Sequence, residues 1–301
     1  LSLTKTNDSM NFTPAAIAWH NGKLVKREQA APSIASHSLH LGVGVFDGIM
    51  AYCNSGSYYI HRLEAHLDRL RHGSSQMGLE FNWSNTKLKS GLLALLDSIP
   101  LNNYYIRPIV YRSGAYLNFS DDMPVDVTIL AVTIARDEAL PLSCHISKYE
   151  RVSGKAIPVT WKICGTYVNS YLSRRAAQMD GFNDAIMLDA DGLITEASAA
   201  NIFFLQSNAV VTPALNANIF PGITRATLLD IAKSINIEVI ERDITPNELV
   251  NFDGAFLAAT MMELKPVVSI DNYKYDSCSH RLFRQFLTEF RQITHQKPNF
   301  S

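Results

Sequence analysis

The chain has 301 residues, 27 Lys and Arg against 28 Asp and Glu, a net charge of −1 and 47% apolar residues. That length allows one large domain or two ordinary ones, and the near-neutral charge argues against nucleic acid or an anionic membrane as the main partner. So large an apolar fraction excludes a wholly disordered chain, which leaves a small-molecule enzyme as the default class.

The first predicted element is a hairpin: Ala15 to Trp19, the Asn21-Gly22 turn, then Lys23 to Val25. A second runs from Gly48 to Cys53, turns through residues 54–57 and returns over Tyr58 to Ile60. Leu63, Leu67 and Leu70 recur at helical spacing, which predicts an amphipathic helix from His61 to about Gln76. Ser84 is the expected cap of another, with the stripe Leu88, Leu92, Leu95 and Leu96. Residues 103–112 and 125–134 are rich in β-formers and read as strands.

The charged, proline-bearing run 136–142 breaks this pattern. It supplies a linker at residues 137–142 between an N-terminal α+β domain, 1–136, and a C-terminal α+β domain, 143–301. After it come a strand to about Pro158, a helix from Thr166 to Asp180 stopped by Gly181, and a strand from Asp184 to Leu188. The turn Ala190-Asp191-Gly192 leads to Leu193-Ile194-Thr195, and a hairpin pairs 201–205 with 209–212. Pro221-Gly222-Ile223-Thr224 opens a helix through Leu228 and Ile231. Residues 237–244 and 255–260 are apolar enough for buried strands, and Phe283, Phe286, Leu287, Phe290 and Ile293 stripe a terminal helix. Without a regular βαβ alternation the class is α+β.

No run approaches the ~18 apolar residues of a spanning helix. The first residues lack the apolar core of a secretory signal. The four cysteines, Cys53, Cys144, Cys164 and Cys278, have no paired zinc spacing, so reduced thiols in a cytoplasm are expected. His61 and His66, five apart, are off a common helical face and make a poor metal pair.

Four segments carry candidate chemistry. Gly42-Val43-Gly44-Val45-Phe46-Asp47-Gly48 has the wrong spacing for a dinucleotide loop and no Gly-Lys-Ser/Thr, so tight backbone packing is the first reading. Lys162 is a single charge between Trp161 and Ile163, at an apparent strand end before a helix. Taken alone it reads first as an edge lysine reaching water, and second as a desolvated amine able to attack a carbonyl. Glu196, followed by Ala197-Ser198-Ala199-Ala200, reads first as a solvated turn residue and second as a carboxylate that meets a flat ligand. Pro221 to Arg225 offers free N–H groups to an anion or plain capping by Thr224, and Arg62 is a phosphate clamp or a surface charge.

Taken together, these segments resemble the class IV aminotransferases, most closely the branched-chain amino-acid aminotransferases, from about His37 to Ile270. The landmarks are Gly44-Val45-Phe46-Asp47-Gly48-Ile49, His61-Arg62-Leu63-Glu64-Ala65-His66-Leu67-Asp68-Arg69-Leu70 and Tyr105-Ile106-Arg107-Pro108. They continue with Lys162-x-x-Gly165-x-Tyr167, Ile194-Thr195-Glu196, Asn201-Ile202-Phe203, Phe220 to Arg225, and Ala259-Thr260. The resemblance implies a two-domain fold-type IV architecture that binds pyridoxal 5′-phosphate at the domain interface, and a homodimer. It implies that Lys162 holds the cofactor as an internal Schiff base and shuttles the substrate proton. Glu196 would pair with the pyridine nitrogen, Tyr167 with the phenolic oxygen, and Arg62, Ile223, Thr224 and Thr260 with the phosphate. Phe46, Tyr105, Arg107, Met261 and Met262 stand where substrate-binding groups are expected, for an amino acid and a 2-oxo acid that react in ping-pong order.

Several positions depart from the branched-chain pattern. Met50 stands where Arg is usual, Leu41 where Tyr is usual, Thr166 where Asn is usual, Ala200 where an acid is common, and Met261-Met262 where two small residues are usual. The alternatives are a D-amino-acid or amine transaminase, an aminodeoxychorismate lyase, or a non-catalytic protein that keeps the fold.

Overall fold

The computed structural model describes residues 12–115, 118–119, 122–134, 140–215 and 218–294. The first part of the chain forms β1 (Thr13–Pro14), β2 (Ile17–His20), β3 (Lys23–Lys26), α1 (His37–His40), β4 (Gly44–Phe46), β5 (Ile49–Asn54), β6 (Ser57–Ile60), α2 (Leu63–Gln76), α3 (Asn85–Asp97), β7 (Tyr104–Arg112) and β8 (Val125–Thr133). The strands make an antiparallel sheet in the order β3-β2-β8-β7-β5-β6, with β1 on β8 and β4 on β7. Both predicted hairpins are present, and Asn21-Gly22 and Ser55-Gly56 turn them with positive φ, as such two-residue turns require. Ser84 caps α3 by accepting from the Lys87 N–H at 3.2 Å.

The leucine stripes of α2 and α3 pack on one face of this sheet, with Leu67, Leu70, Leu88, Leu92 and Leu95 fully buried against Ile49, Ile106, Val127 and Ile129. Each such side chain stabilises the fold by about 1.5–3 kcal/mol. The helix α2 begins at Leu63 rather than His61, because Arg62 has left-handed backbone angles, φ 51° and ψ 38°.

The second part forms β9 (Leu142–Ile146), α4 (Tyr167–Met179), β10 (Asp184–Leu188), β11 (Ile194–Ala197), β12 (Asn201–Gln206), β13 (Ala209–Pro213), α5 (Ile223–Ser234), β14 (Glu238–Arg242), β15 (Gly254–Ala259), β16 (Glu263–Ile270), β17 (Tyr273–Lys274) and α6 (Arg281–Thr294). Its sheet runs β11-β10-β9-β16-β15-β12-β13-β14, with β17 on β16, and mixes parallel and antiparallel pairs. Helices α5 and α6 cover one face through Leu228, Ile231, Leu282 and Phe286, while Ile186, Phe204, Ile244 and Phe252 fill the other. Residues 137–139 of the expected linker lie outside the described residues.

Two expectations about strands are corrected here, and one strand is not expected from the sequence. The strand expected to reach Pro158 stops at Ile146, because Ser147 closes a local turn with Tyr149 and the chain departs to deliver Arg151 elsewhere. The segment 237–244 is an edge strand rather than a buried one. It pairs only with β13, and Glu238 and Glu241 face solvent. The strand β16 carries no sequence signal because Glu263, Lys265 and Pro266 interrupt it, yet it lies between β9 and β15. Its pairing with β9 starts at Val267, so Pro266 lies before the ladder on that side.

Candidate active site

Lys162 is not on a strand. It ends a 3₁₀ turn, Val159–Trp161, with φ 54° and ψ 48°. A left-handed non-glycine residue costs about 1–3 kcal/mol and persists where neighbours over-determine it. Here the Phe46 N–H donates to the Lys162 carbonyl at 3.3 Å, Val45 bridges to Ile163, and the Gly165 N–H donates to the Gly42 carbonyl at 3.2 Å. The glycine run is therefore a packing seam. A Cβ on Gly42 would lie 2.6 Å from the Gly165 Cα, and one on Gly48 would lie 2.1 Å from the Tyr105 hydroxyl.

On α2, a Cβ at Gly73 would lie 2.4 Å from the Trp161 carbonyl oxygen, one residue before Lys162. Backbone cannot yield as a flexible side chain does. Gly73→Ala is expected to cost about 1–3 kcal/mol of stability and to reduce turnover by displacing Lys162. Denaturant titration and initial rates check both; wild-type values for the variant would show that the turn moves freely.

A cleft of about 590 Å³, counted out to its open mouth, lies where α2 meets the C-terminal unit. The Lys162 amine reaches into it and donates to the Tyr167 hydroxyl at 2.9 Å. Aromatic rings surround this amine: their centres lie 4.3 Å away for Phe220, 5.3 Å for Phe46 and 5.5 Å for Tyr167. Such rings screen the nitrogen from water on their side. The edge-lysine reading is set aside.

Glu196, on β11, is 5% exposed and also lines the cleft. It accepts from Arg151 Nε at 2.8 Å, Asn201 Nδ2 at 3.2 Å and the Phe220 N–H at 3.3 Å. Burial pushes its carboxyl up, and the Arg151 guanidinium and the Phe220 N–H oppose that shift. The solvated-turn reading is overturned. Ser198, Ala199, Ala200, Ala258 and Ala259 keep the wall beside it low.

Ile223 and Thr224 open α5 against the cleft, with Thr260 beside them. The N-cap is Gly222 and no side chain caps it, so capping by Thr224 is not what the segment does. A Cβ on Gly222 would meet Asn201 Oδ1 at 2.2 Å. The first-turn N–H groups therefore face the cleft with the positive end of a helix behind them.

Arg62 is the one proposed cofactor contact that the fold keeps away. Its left-handed backbone turns the side chain outward to an ion pair with Asp230, and it does not line the cleft. Arg69, two turns further along α2, takes the cleft position. It donates to Asp47 from Nε at 2.8 Å and Nη2 at 2.9 Å, and to the Pro221 carbonyl from Nη1 at 3.3 Å, with its carbon 4.8 Å from the Phe220 ring centre. The available signal was a charge beside Leu67 and Leu70 on a buried stripe. Arg151 gave no such signal, and Asn201 stood in a quoted motif without a role.

Asp47 is fully buried. Burial alone would raise its carboxyl, but Arg69 and the His66 hydrogen bond hold it far below the ordinary carboxylate range. His61 is pushed down to about 4, by burial first and then by Arg62 and His66. A neutral His61 therefore stabilises the fold fully above the unfolded value of about 6.5, and that contribution disappears as pH falls toward 4. Melting temperatures measured across this window should flatten in His61→Gln; an unchanged slope would assign the dependence elsewhere.

The expected substrate residues divide. Phe46 packs edge-on against Tyr167 at 4.8 Å, and Arg107 lies over Phe46 at 4.5 Å and donates to the Tyr105 hydroxyl at 3.0 Å. Arg107 Nε is buried without a hydrogen-bond partner. Met261 packs with Met50, Tyr52 and Tyr105. Met262 does not join them, since the chain turn after Thr260 sends it against the core of the C-terminal sheet. None of the five expected substrate residues lines the cleft itself, and Phe46 comes nearest, its ring centre 5.3 Å from the Lys162 amine.

A nucleophilic amine, a buried carboxylate and an anion cradle thus converge in one cleft, suited to a flat ligand with a carbonyl, a basic nitrogen and an anionic tail. Residues 44–270 match the family model described as amino-transferase class IV. A probable branched-chain-amino-acid aminotransferase of Aquifex aeolicus is 34% identical over 88% of this chain and 86% of its own length. The branched-chain-amino-acid aminotransferase of Pseudomonas aeruginosa is 31% identical over 86% of each chain. Among solved structures, the branched-chain aminotransferase of Thermoproteus uzoniensis with norvaline superposes with a TM-score of 0.89 at 29% identity, covering 95% of this chain and 96% of that one. The enzyme of Thermobaculum terrenum in its PLP form gives 0.86 at 25% identity over 94% of each chain.

Proposed function

Because the chain belongs to the class IV aminotransferases, we propose that it exchanges amino groups between branched-chain L-amino acids and 2-oxoglutarate in ping-pong order. The observation that carries this reading is the convergence of Lys162, Glu196 and the α5 N-terminus on one cleft. The family's cofactor is pyridoxal 5′-phosphate, and the donors present suit it: an amine for the aldehyde, a buried carboxylate for the pyridine nitrogen, and helix N–H groups with a guanidinium for the phosphate. Bound there, the cofactor supplies a carbonyl that condenses with amines and a ring that accepts electron density from the substrate's α-carbon.

The chain's own residues do the rest. Lys162, once its amine is released, takes and returns the proton at the substrate's Cα. The Tyr167 hydroxyl, 2.9 Å from that amine, fixes its approach. Glu196 would face the pyridine nitrogen, and Arg151, 2.8 Å away, orients it and opposes the burial that raises its carboxyl. Arg69, the N–H groups of Ile223 and Thr224, and the Thr260 hydroxyl bind the phosphate.

Phe46, Tyr105 and Met261 would receive an apolar side chain. Arg107, with its unpartnered Nε, would attract the distal carboxylate of 2-oxoglutarate. The names carried by the relatives support branched-chain substrates. In this reading the two sheet units are domains 1–136 and 143–301 joined by 137–142, and the enzyme is a cytoplasmic homodimer. Four unpaired cysteines support the compartment, and the exposed Val168, Tyr171 and Met179 of α4 offer apolar surface to a second copy.

Assays with L-leucine, L-isoleucine, L-valine and D-alanine against 2-oxoglutarate test the substrate. Parallel double-reciprocal lines and activity on the three branched L-amino acids are expected. Activity on D-alanine alone, or none with the three, would remove the substrate assignment and leave the cofactor assignment standing. Sedimentation at assay concentration tests the dimer.

A further inference from the structure

We propose that Asp47, which does not itself line the cleft, is a positioning residue that aims Arg69 and thereby sets the affinity for the cofactor's phosphate. The inference rests on the functional reading above and names what governs one part of that site.

Asp47 lies in the link between β4 and β5 with no exposed surface, and its backbone N–H donates to the Pro108 carbonyl at 3.0 Å. Its carboxylate accepts from the Gly48 N–H at 2.7 Å, from His66 Nδ1 at 2.7 Å and twice from Arg69. A two-pronged pair fixes the plane of a guanidinium, which a single contact cannot do. The third contact of Arg69 is with the Pro221 carbonyl, immediately before the N-cap of α5. These three bonds use three of its five N–H groups, Nη2 also approaches His66 Nδ1 at 3.5 Å, and Arg69 lines the cleft with N–H groups left over for an anion. His66 backs the arrangement: it lines a small open recess together with Ile223, Thr224 and Thr260, the residues that also line the cleft.

The sign of the effect separates aiming from charge. Asp47 already offsets the charge of Arg69, so its removal would strengthen phosphate binding if Coulomb attraction alone mattered. Loss of aim has the opposite consequence. Asp47→Asn leaves Arg69 with one hydrogen bond in place of a charged pair, frees its side chain to turn, and weakens binding.

The test compares pyridoxal 5′-phosphate with pyridoxal, which lacks the phosphate, by titrating the cofactor-stripped full-length protein. Asp47→Asn should lose about tenfold or more in affinity for the phosphorylated form, the scale of a hydrogen bond to a charged group. Pyridoxal should bind as to the parent, Asp47→Glu should recover part of the loss, and adding Asp47→Asn to Arg69→Met should cost nothing further. Equal or tighter binding of the phosphorylated form, or equal losses for both ligands, overturns the proposal. Should Asp47→Asn fail to fold, His66→Gln is measured instead and must show the same selective loss; parent-like affinity in that variant overturns the proposal. If the parent protein takes up no pyridoxal 5′-phosphate at all, the functional reading itself fails, an outcome distinct from the others.

Discussion

Lys162→Ala is expected to abolish borohydride-trapped attachment of the cofactor and to lower turnover by about 10⁴-fold or more, since one amine serves as both covalent anchor and general base. Among the described residues Lys162 is the one lysine that lines the cleft, so no neighbour can take over its work. The cofactor should still bind, held by the contacts that face its phosphate. Lys162→Arg should be equally inactive although it preserves positive charge, because a guanidinium does not give up its proton. A small primary amine added to the alanine variant should restore part of the rate. Persistent labelling of the variant after reduction would transfer the role to another lysine.

Glu196→Gln should reduce both stability and activity, for separable reasons. Glu196 and Arg151 form a buried ion pair, with side chains 6% and 7% exposed. Removing one member leaves the other charge buried and alone, a loss of about 3–5 kcal/mol. The neutral amide also cannot hold a proton on the pyridine nitrogen. Replacing both residues, Glu196→Leu with Arg151→Met, should recover much of the stability, because a well-packed apolar pair often matches a buried ion pair. Activity should stay low in the double variant. If activity returned with stability, Glu196 would be only a structural partner of Arg151.

Local signals carried a large part of this architecture. The Asn21-Gly22 turn, the leucine stripes of α2 and α3, the Ser84 cap and the stop at Gly181 are written within a few residues of where they act, and the fold contains each of them. The failures share a physical cause. The strand β16 exists because β9 and β15 flank it, although its own Glu263, Lys265 and Pro266 speak against it. Segment 237–244 is apolar enough for a core, yet it lies at the edge of the sheet where only one neighbour exists.

The site divides along the same line. Residue order alone established the family and pointed to Lys162, Glu196, Tyr167 and the turn before α5, because reactive groups recur with fixed neighbours in the chain. Tertiary structure decided what those neighbours could not. It sent Arg62 outward to Asp230 and brought Arg69 to the cleft, a choice between two arginines on one helix stretch that depends on a left-handed residue and on a buried carboxylate. It gave Glu196 the partner Arg151, 45 residues away. It also divided Met261 from Met262. Spacing along the chain constrains chemistry within a turn or two, whereas orientation and charge pairing across the cleft follow only from packing two sheet units against each other.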